Sequence, residues 1–187
     1  MAIRPILIKV GLALPETAAS FSYPIPDSNG YNYRVPLYRV SVSGTDASGS
    51  QKSRDFSGMR FGLHNKTGDT SATRMVGLKD GKLYTIKRWI PDYKTHSHSS
   101  PEDGAWQVYG NFLIHDGPDD PANPSAVIGC VAIIGGPAGF IEFNDYIISL
   151  SGSTKTTRSE KLSEIGASGA LSALYLKTER PPIELQP

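Results

Sequence analysis

The stretch YGNFLIHDGPDDPANPSAVIGCVAIIGG, residues 109–136, shows the plainest pattern in the chain. An apolar run ends at His115, a polar loop rich in proline follows, and a second, almost entirely apolar run occupies residues 126–134. Short apolar runs bounded by glycine and proline are typical of buried β-strands. We therefore expect a strand over residues 106–114, a connecting loop, and a second strand over residues 126–134 that carries Cys130.

The rest of the chain predicts further short strands and few helices. Segments bounded by turn residues indicate strands at residues 6–14, 37–42, 60–64, 74–76 and 82–89. The last two flank Asp80-Gly81, a hairpin turn signal. An apolar face at helical spacing predicts an amphipathic helix over residues 140–150, and residues 159–176 predict one or two further helical turns. We therefore expect a mostly β protein with one or two short helices after the cysteine strand.

Length and composition indicate a single domain over residues 1–187. Apolar residues make up 39% of the chain and charged residues 20%, which is too apolar for a disordered protein. The 19 glycines and 14 prolines favour many turns between short strands. Residues 15–36, rich in Pro, Ser, Asn and Tyr, predict a loop-rich segment, and residues 177–187 predict an extended C-terminal tail.

Charge and cysteine content exclude several classes of protein. The chain has 19 basic and 18 acidic residues, so we expect no nucleic-acid partner, because such proteins carry a basic excess. The single cysteine, Cys130, excludes an intrachain disulfide and a four-thiolate zinc site. No apolar run reaches the ~18–20 residues of a membrane span. Lys9 interrupts the apolar N-terminal stretch, so we predict no usable signal peptide and a protein that is cytoplasmic as made.

Cys130 and His115 are candidates for a catalytic pair, because the loop between them is long enough to bring both to one end of adjacent strands. A cysteine nucleophile needs a neighbouring base, since a free thiol with a pKa of about 8.5 is mostly protonated at neutral pH, and histidine is the usual partner. Gly129 allows close backbone approach, so the Gly129 and Cys130 amides can face a developing oxyanion. In the alternative interpretation, Cys130 is a core residue on a buried strand.

Two further groups of residues resemble metal ligands. His96 and His98 would share one face of a strand and could bind zinc together with a third ligand. That third ligand would be His64 or His115, although a polar loop is the favoured interpretation. Three aspartates lack the spacing of an EF-hand and predict a solvated loop: Asp116, Asp119 and Asp120. The sequence therefore predicts no metal and no cofactor.

The motif Ile114-His115-x-Gly117, followed by a short loop and Gly129-Cys130, resembles the active-site segment of L,D-transpeptidase-like proteins. It is more similar still to a divergent set of small bacterial proteins with an Ile-His-x-Gly…Gly-Cys motif. The resemblance implies a β-rich sheet or barrel in which a cysteine attacks peptidoglycan stem peptides, forming a thioester that an amine or water resolves. By motif position, Cys130 is the nucleophile and His115 the base. The Gly129 and Cys130 amides form part of the oxyanion site, and Gly117 is the tight turn after the histidine.

The chain departs from this motif directly before and after the Gly-Cys pair. The family has Ser/Thr-His before that pair and usually an arginine soon after it, whereas this chain has Val127-Ile128 before it and no arginine after it. An oxyanion donor from a side chain would have to come from elsewhere, and His96 and His98 are candidates for this auxiliary role. A transpeptidase, a hydrolytic relative and an inactive binding relative all fit the motif.

Two functions of different classes stay open. The first is a cysteine-dependent enzyme, L,D-transpeptidase-like or L,D-carboxypeptidase-like, that acts on peptidoglycan stem peptides through a thioester intermediate. Without a signal peptide it would reach the cell wall by another route, such as delivery into a neighbour's periplasm as an antibacterial effector of a secretion system, with an immunity protein as partner. The second is a non-catalytic β-rich structural or interaction domain of a phage or secretion apparatus, in which Cys130 is a core residue.

Overall fold

A computed structural model describes residues 2–23, 32–64, 74–95, 102–125, 127–179 and 182–186. These residues are mostly β-strand, and two short helices follow the strand next to Cys130, which confirms the fold class expected from the sequence. None of the helices in the described ranges is long and apolar enough to cross a membrane.

The described residues form twelve strands and two α-helices. In chain order, the strands are β1 (Ile6–Tyr23), β2 (Asn32–Thr45), β3 (Gln51–Met59), β4 (Gly62–His64), β5 (Arg74–Val76), β6 (Leu83–Thr85), β7 (Arg88–Ile90), β8 (Ala105–Tyr109), β9 (Phe112–Asp116), β10 (Val131–Ile134), β11 (Leu171–Tyr175) and β12 (Glu184–Gln186). The helices are α1 (Gly139–Ser151) and α2 (Arg158–Ala167), and a short 3₁₀ turn, Gly136–Ala138, precedes α1.

The strands pair into one sheet. The main path of hydrogen-bonded neighbours runs β5-β4-β1-β2-β3-β10-β9-β8-β7, while β11 pairs with both β1 and β6, and β12 pairs with β2. Most neighbours are antiparallel, but β10 runs parallel to β9, and β1 runs parallel to both β4 and β11. The parallel β9–β10 pair brings together the two segments that contain His115 and Cys130.

The structure corrects the predicted loop-rich segment at residues 15–36. Where this segment is described it is strand, because residues 15–23 complete β1 and residues 32–36 begin β2 in antiparallel pairing with it. The inward-facing residues of this part of β1 are small: Ala18, Ser20 and Ser22. Hydropathy therefore alternates too weakly to reveal the strand. In the C-terminal tail, Glu184–Gln186 pair with the same part of β2.

The strands around Cys130 are shorter than those predicted. The single strand expected over residues 106–114 is a hairpin of β8 and β9, whose turn at Gly110 has a φ of 53°. The strand expected over residues 126–134 is β10 alone, which begins at Val131. Gly129, with a φ of 90°, turns the chain just before it.

The prediction of a hairpin at Asp80-Gly81 is wrong. The strands on either side pair elsewhere, since β5 pairs with β4 and β6 pairs with β11. Asp80-Gly81 still makes a turn, because Gly81 has a φ of 70° and the Asp80 carboxylate accepts a hydrogen bond of 2.8 Å from the Tyr84 hydroxyl. A local turn signal therefore does not fix which strands pair.

The helix predicted over residues 140–150 is confirmed. It is α1, and it buries the expected apolar face: Phe140, Phe143, Ile147 and Leu150. The second helical segment is shorter than residues 159–176, because α2 ends at Ala167 and Gly169, with a φ of 73°, redirects the chain into β11.

Buried apolar residues form two clusters on opposite faces of the sheet at β10. Val131 and Ile133 belong to the first cluster, and Cys130 and Ala132 belong to the second. Successive side chains of a strand point to opposite faces, so the clusters lie on either side of β10. Residues of α1 and α2 belong to the first cluster, and we call this side the helix face. The side of the Cys130 cluster is the thiol face.

A fully buried arginine, Arg60, connects three distant segments of the chain. Its guanidinium donates hydrogen bonds to the carbonyl oxygens of Gly11 (2.8 Å), Leu78 (3.0 Å) and Leu176 (2.5 Å). Gly11 lies in a bulge of β1, where the register with β2 shifts. Three aromatic rings surround the guanidinium at 5.1–5.7 Å: Phe61, Tyr175 and Tyr38. Arg60 therefore connects the β1 bulge to the segment between β5 and β6 and to the residue directly after β11.

Replacing Arg60 with methionine should lower the free energy of unfolding by about 3 kcal/mol, because each buried carbonyl left without a donor costs about 1–3 kcal/mol. Arg39→Met is the matched control, since the Arg39 guanidinium is exposed and its 3.6 Å ion pair with Asp55 is solvated. Exposed pairs contribute about 0.2–1 kcal/mol. Urea denaturation of both variants measures the difference, and similar small losses in the two would contradict the bracing role of Arg60.

Candidate functional site

The parallel pairing of β9 and β10 sets the relative positions of His115 and Cys130. His115 lies opposite Ala132 in the register, and continuing that register by two residues places Cys130 level with Leu113. One strand spacing of ~4.8 Å and two residues of ~3.3 Å each give a separation of about 8 Å between the two Cα atoms. The sequence predicts both residues at one end of adjacent strands, whereas the parallel register offsets them by two residues along the pair.

His115 and Cys130 lie on the same face of the sheet. Ala132 belongs to the same cluster as Cys130, and residues paired across neighbouring strands share a face, which puts His115 on the thiol face. Leu113, level with Cys130, is in this cluster too, and Tyr93 packs against it. The ring of Tyr93 also contacts the His115 ring, with centroids 5.3 Å apart.

The Cys130 side chain is buried and its environment favours the thiol over the thiolate. Its exposed fraction is 8%, and its Sγ donates a hydrogen bond of 3.6 Å to the carbonyl oxygen of Asn111, in the turn between β8 and β9. Burial raises the pKa of Cys130, and a hydrogen bond from the Leu113 amide opposes this shift only in part. The resting cysteine is therefore protonated at neutral pH.

The backbone holds the His115 ring in one tautomer. Its Nδ1 lies 2.7 Å from the carbonyl oxygen of Asp116. A carbonyl oxygen only accepts hydrogen bonds, so Nδ1 carries the proton and Nε2 has a lone pair that can accept one. The backbone of the neighbouring residue therefore orients the His115 ring.

The turn before β10 exposes Ile128 and buries Cys130. Gly129 has a φ of 90°, and a Cβ there would lie 2.7 Å from the Phe112 ring. Ile128 is 55% exposed, so the position where the resembled family has histidine lies at the surface. Gly62 packs under this turn, because a Cβ there would lie 2.2 Å from the Val127 carbonyl oxygen. The glycines allow this tight backbone packing next to the thiol.

Gly117 extends the β9–β10 pairing instead of forming the tight turn expected after the histidine. Its amide donates a hydrogen bond of 2.8 Å to the Ile133 carbonyl oxygen, and a Cβ would lie 2.6 Å from that same oxygen. The loop beyond it is anchored on β1, where the Ala19 amide donates to the Pro121 carbonyl oxygen at 2.7 Å. The close approach of two backbones therefore explains the glycine.

Asp116 does not belong to a solvated loop, as the sequence predicted for it. It is 4% exposed, and its pairing with Ile133 places it on the helix face, opposite His115. Burial and then the negative charge of Asp119 raise the pKa of the Asp116 carboxyl to about 7, with a smaller contribution from Glu102. This carboxyl is consequently only partly ionised at neutral pH.

The predicted auxiliary residues His96 and His98 lie outside the described residues. His64, considered as a third zinc ligand, ends β4 with its ring 5.9 Å from that of Tyr23. Within the described ranges, no group of three or more His, Cys, Asp and Glu side chains could hold a metal ion.

The helix face carries a polar network that the sequence analysis missed. Glu102, 10% exposed, accepts hydrogen bonds from Arg158 (2.5 and 3.1 Å) and from Asn144 (2.8 Å). Asn144 in turn accepts one of 2.8 Å from the Trp106 indole. Hydrogen bonds to Glu102 raise the pKa of Arg158, which also pairs with Asp145. The network fastens both helices to the segment before β8.

A cleft of about 530 Å³ borders this network. It is lined by Trp89, Pro91, Glu102, Asp103, Ile141, Arg158, Ser159 and Leu162. Trp89 and Leu162 belong to the cluster of the helix face, so the cleft and Cys130 belong to different faces of the sheet. The network joins residues far apart in the chain, and no spacing pattern in the sequence could have revealed it.

Comparison with known proteins yields no match. No family model, no curated protein and no solved structure matches this chain. The function of the site therefore has to be inferred from its own residues and their geometry.

Proposed function

We propose that this protein is a cysteine-dependent enzyme that acts on peptidoglycan stem peptides, with Cys130 as the nucleophile and His115 as the general base. The observation that carries the proposal is the parallel β9–β10 pairing, which puts the two side chains on one face of the sheet. The Asp116 carbonyl supports it further, since it leaves Nε2 of His115 able to accept a proton. The Ile-His-x-Gly…Gly-Cys motif supplies the substrate class.

The proposed reaction passes through a thioester. Sγ of Cys130 bonds to the scissile carbonyl carbon while Nε2 of His115 takes the thiol proton, and the carbonyl electron pair moves onto its oxygen. Collapse of this intermediate breaks the carbon–nitrogen bond, and the leaving amine takes the proton from His115. Water then hydrolyses the thioester, or the amine of a second stem peptide attacks it, and either step releases the Cys130 thiol.

The raised pKa of Cys130 determines how this reaction begins. A preformed thiolate–imidazolium pair requires a lowered cysteine pKa, whereas burial raises it here. The proton therefore leaves Cys130 during the attack on bound substrate, as in enzymes whose nucleophile is a hydroxyl. The Gly129 and Cys130 amides are the proposed backbone donors to the oxyanion.

A second candidate function is a non-catalytic β-rich domain of a phage or secretion apparatus. The burial of Cys130 and its hydrogen bond to the Asn111 carbonyl favour this candidate, because both are typical of a structural cysteine. The two candidates differ in one respect that can be measured. Only the enzyme has a substrate site that includes the Cys130 sulfur.

The enzyme proposal also includes a route and a partner. Its substrate lies outside the cytoplasm, so we propose delivery as an antibacterial effector by a secretion system. A producing cell would then need an immunity protein that blocks the thiol face. Such a partner can be sought by testing whether the product of a neighbouring gene co-purifies with this chain.

Cys130→Ala should abolish release of the terminal residue from a peptidoglycan stem tetrapeptide, because the variant has no nucleophile. His115→Gln should slow release by about 10²–10⁴-fold, the usual contribution of a general base. His64→Gln is the matched control and should retain full activity, since His64 ends β4 and packs on Tyr23. Mass spectrometry of the released product measures all three, and an active Cys130→Ala variant would refute the proposal.

Alkylation of Cys130 by iodoacetamide should be slow at pH 7 and accelerate only above the pH of about 8.5 at which free cysteine ionises, because burial raises its pKa. The same chain unfolded in urea is the reference. Rapid labelling of the folded protein at pH 6–7 would contradict the protonated resting state. Stem tetrapeptide should slow the alkylation if Cys130 lies in a substrate site, and should have no effect if Cys130 is only a core residue.

A further inference from the structure

The ring of Tyr93, a residue of the segment after β7, packs against the ring of His115. The ring centroids are 5.3 Å apart and the ring planes differ by 36°. Tyr93 is half-buried and packs against the cluster that contains Cys130. Its backbone is fixed by a hydrogen bond of 2.8 Å from the Gly104 amide to the Tyr93 carbonyl oxygen. Tyr93 therefore contacts the His115 ring and packs against the buried cluster to which Cys130 belongs.

The Tyr93 hydroxyl is able to donate a hydrogen bond to a ligand. Among the described residues it has no hydrogen-bond partner. Burial raises the pKa of Tyr93, so the hydroxyl keeps its proton at neutral pH.

The site needs such a donor. In the resembled motif a histidine stands directly before the Gly-Cys pair, whereas this chain has Ile128 there, and Ile128 is directed to the surface. An isoleucine side chain donates no hydrogen bond, and removing one oxyanion donor typically costs about 10²–10³ in rate. Without a side-chain donor, only the backbone amides of Gly129 and Cys130 would be proposed to stabilise the oxyanion's negative charge.

We propose that the Tyr93 hydroxyl donates a hydrogen bond to the oxyanion that forms when Cys130 attacks the substrate carbonyl. This inference rests on the proposed function, and it assigns to Tyr93 the auxiliary role that the sequence suggested for His96 and His98. No proton is transferred in this step. The Tyr93 O–H bond stays intact, and the hydrogen bond strengthens as the carbonyl oxygen gains charge and weakens when the thioester forms.

A purely structural role for Tyr93 is the alternative. The ring alone could keep His115 in place through its packing contact, and the hydroxyl would then be irrelevant. Tyr93→Phe separates the two roles, because it removes the hydroxyl and keeps the ring. Tyr93→Ala removes both and serves as the comparison.

The experiment measures kcat and KM with a peptidoglycan stem tetrapeptide for the unmodified protein and its variants. Tyr93→Phe should lower kcat by about 10²–10³-fold with little change in KM, because a transition-state contact is lost and ground-state binding is not. Tyr109→Phe is the matched control, since Tyr109 is an exposed tyrosine of β8, and it should behave like the unmodified protein. The pH profile of Cys130 alkylation should be the same in Tyr93→Phe and the unmodified protein.

The possible failures are distinguishable. A Tyr93→Phe variant with full activity would overturn the role of the hydroxyl, and a slow Tyr93→Ala variant beside it would assign the ring a positioning role. An unmodified protein whose turnover equals that of Cys130→Ala would overturn the proposed function and this inference together.

Discussion

The parallel pairing of β9 with β10 is the constraint on which the rest of the site depends. Parallel neighbours cannot be joined by a tight turn, so the chain leaves β9, crosses the end of β1 and returns before it enters β10. This crossing returns Cys130 to the side of the sheet that carries His115. Gly117 and Gly129 mark its two ends, the first where two backbones pack closely and the second where the chain turns with a positive φ.

The two faces of the sheet differ in the residues that pack on them. On the helix face, large aromatic side chains and the Glu102–Arg158 network fasten α1 and α2 to the strands. On the thiol face the residues paired with His115 are small, Ala105 and Ala132, and the half-buried ring of Tyr93 packs over His115. Arg60 supports this division at a distance, because it holds the β1 bulge that lies between the two halves of the longest strand. The larger apolar cluster therefore lies on the helix face, and the proposed catalytic pair lies on the thiol face.

The sequence predicted the parts of the structure that depend on local pattern. The apolar face of α1 has helical spacing, and the apolar run at β10 lies between a loop and Gly135, so both could be identified from neighbouring residues. The second half of β1, residues 15–23, could not be identified in this way, because its inward-facing residues are small and it is held in place by pairing with β2. Tyr93 was not a predicted site residue for a similar reason. Its position over His115 follows from the pairing of β7, β8 and β9, which no spacing along the chain encodes.

The proposed function requires Cys130 to form a covalent bond to a stem peptide, although its thiol is buried and protonated at rest. The most direct measurement is the intact mass of the protein after incubation with a peptidoglycan stem tetrapeptide and rapid quenching in acid. We expect a transient acyl adduct that maps to the peptide containing Cys130 and is removed by hydroxylamine, as a thioester would be. A folded protein that never gains mass, while the tetrapeptide stays intact, would contradict it and leave Cys130 as a structural residue of the thiol face.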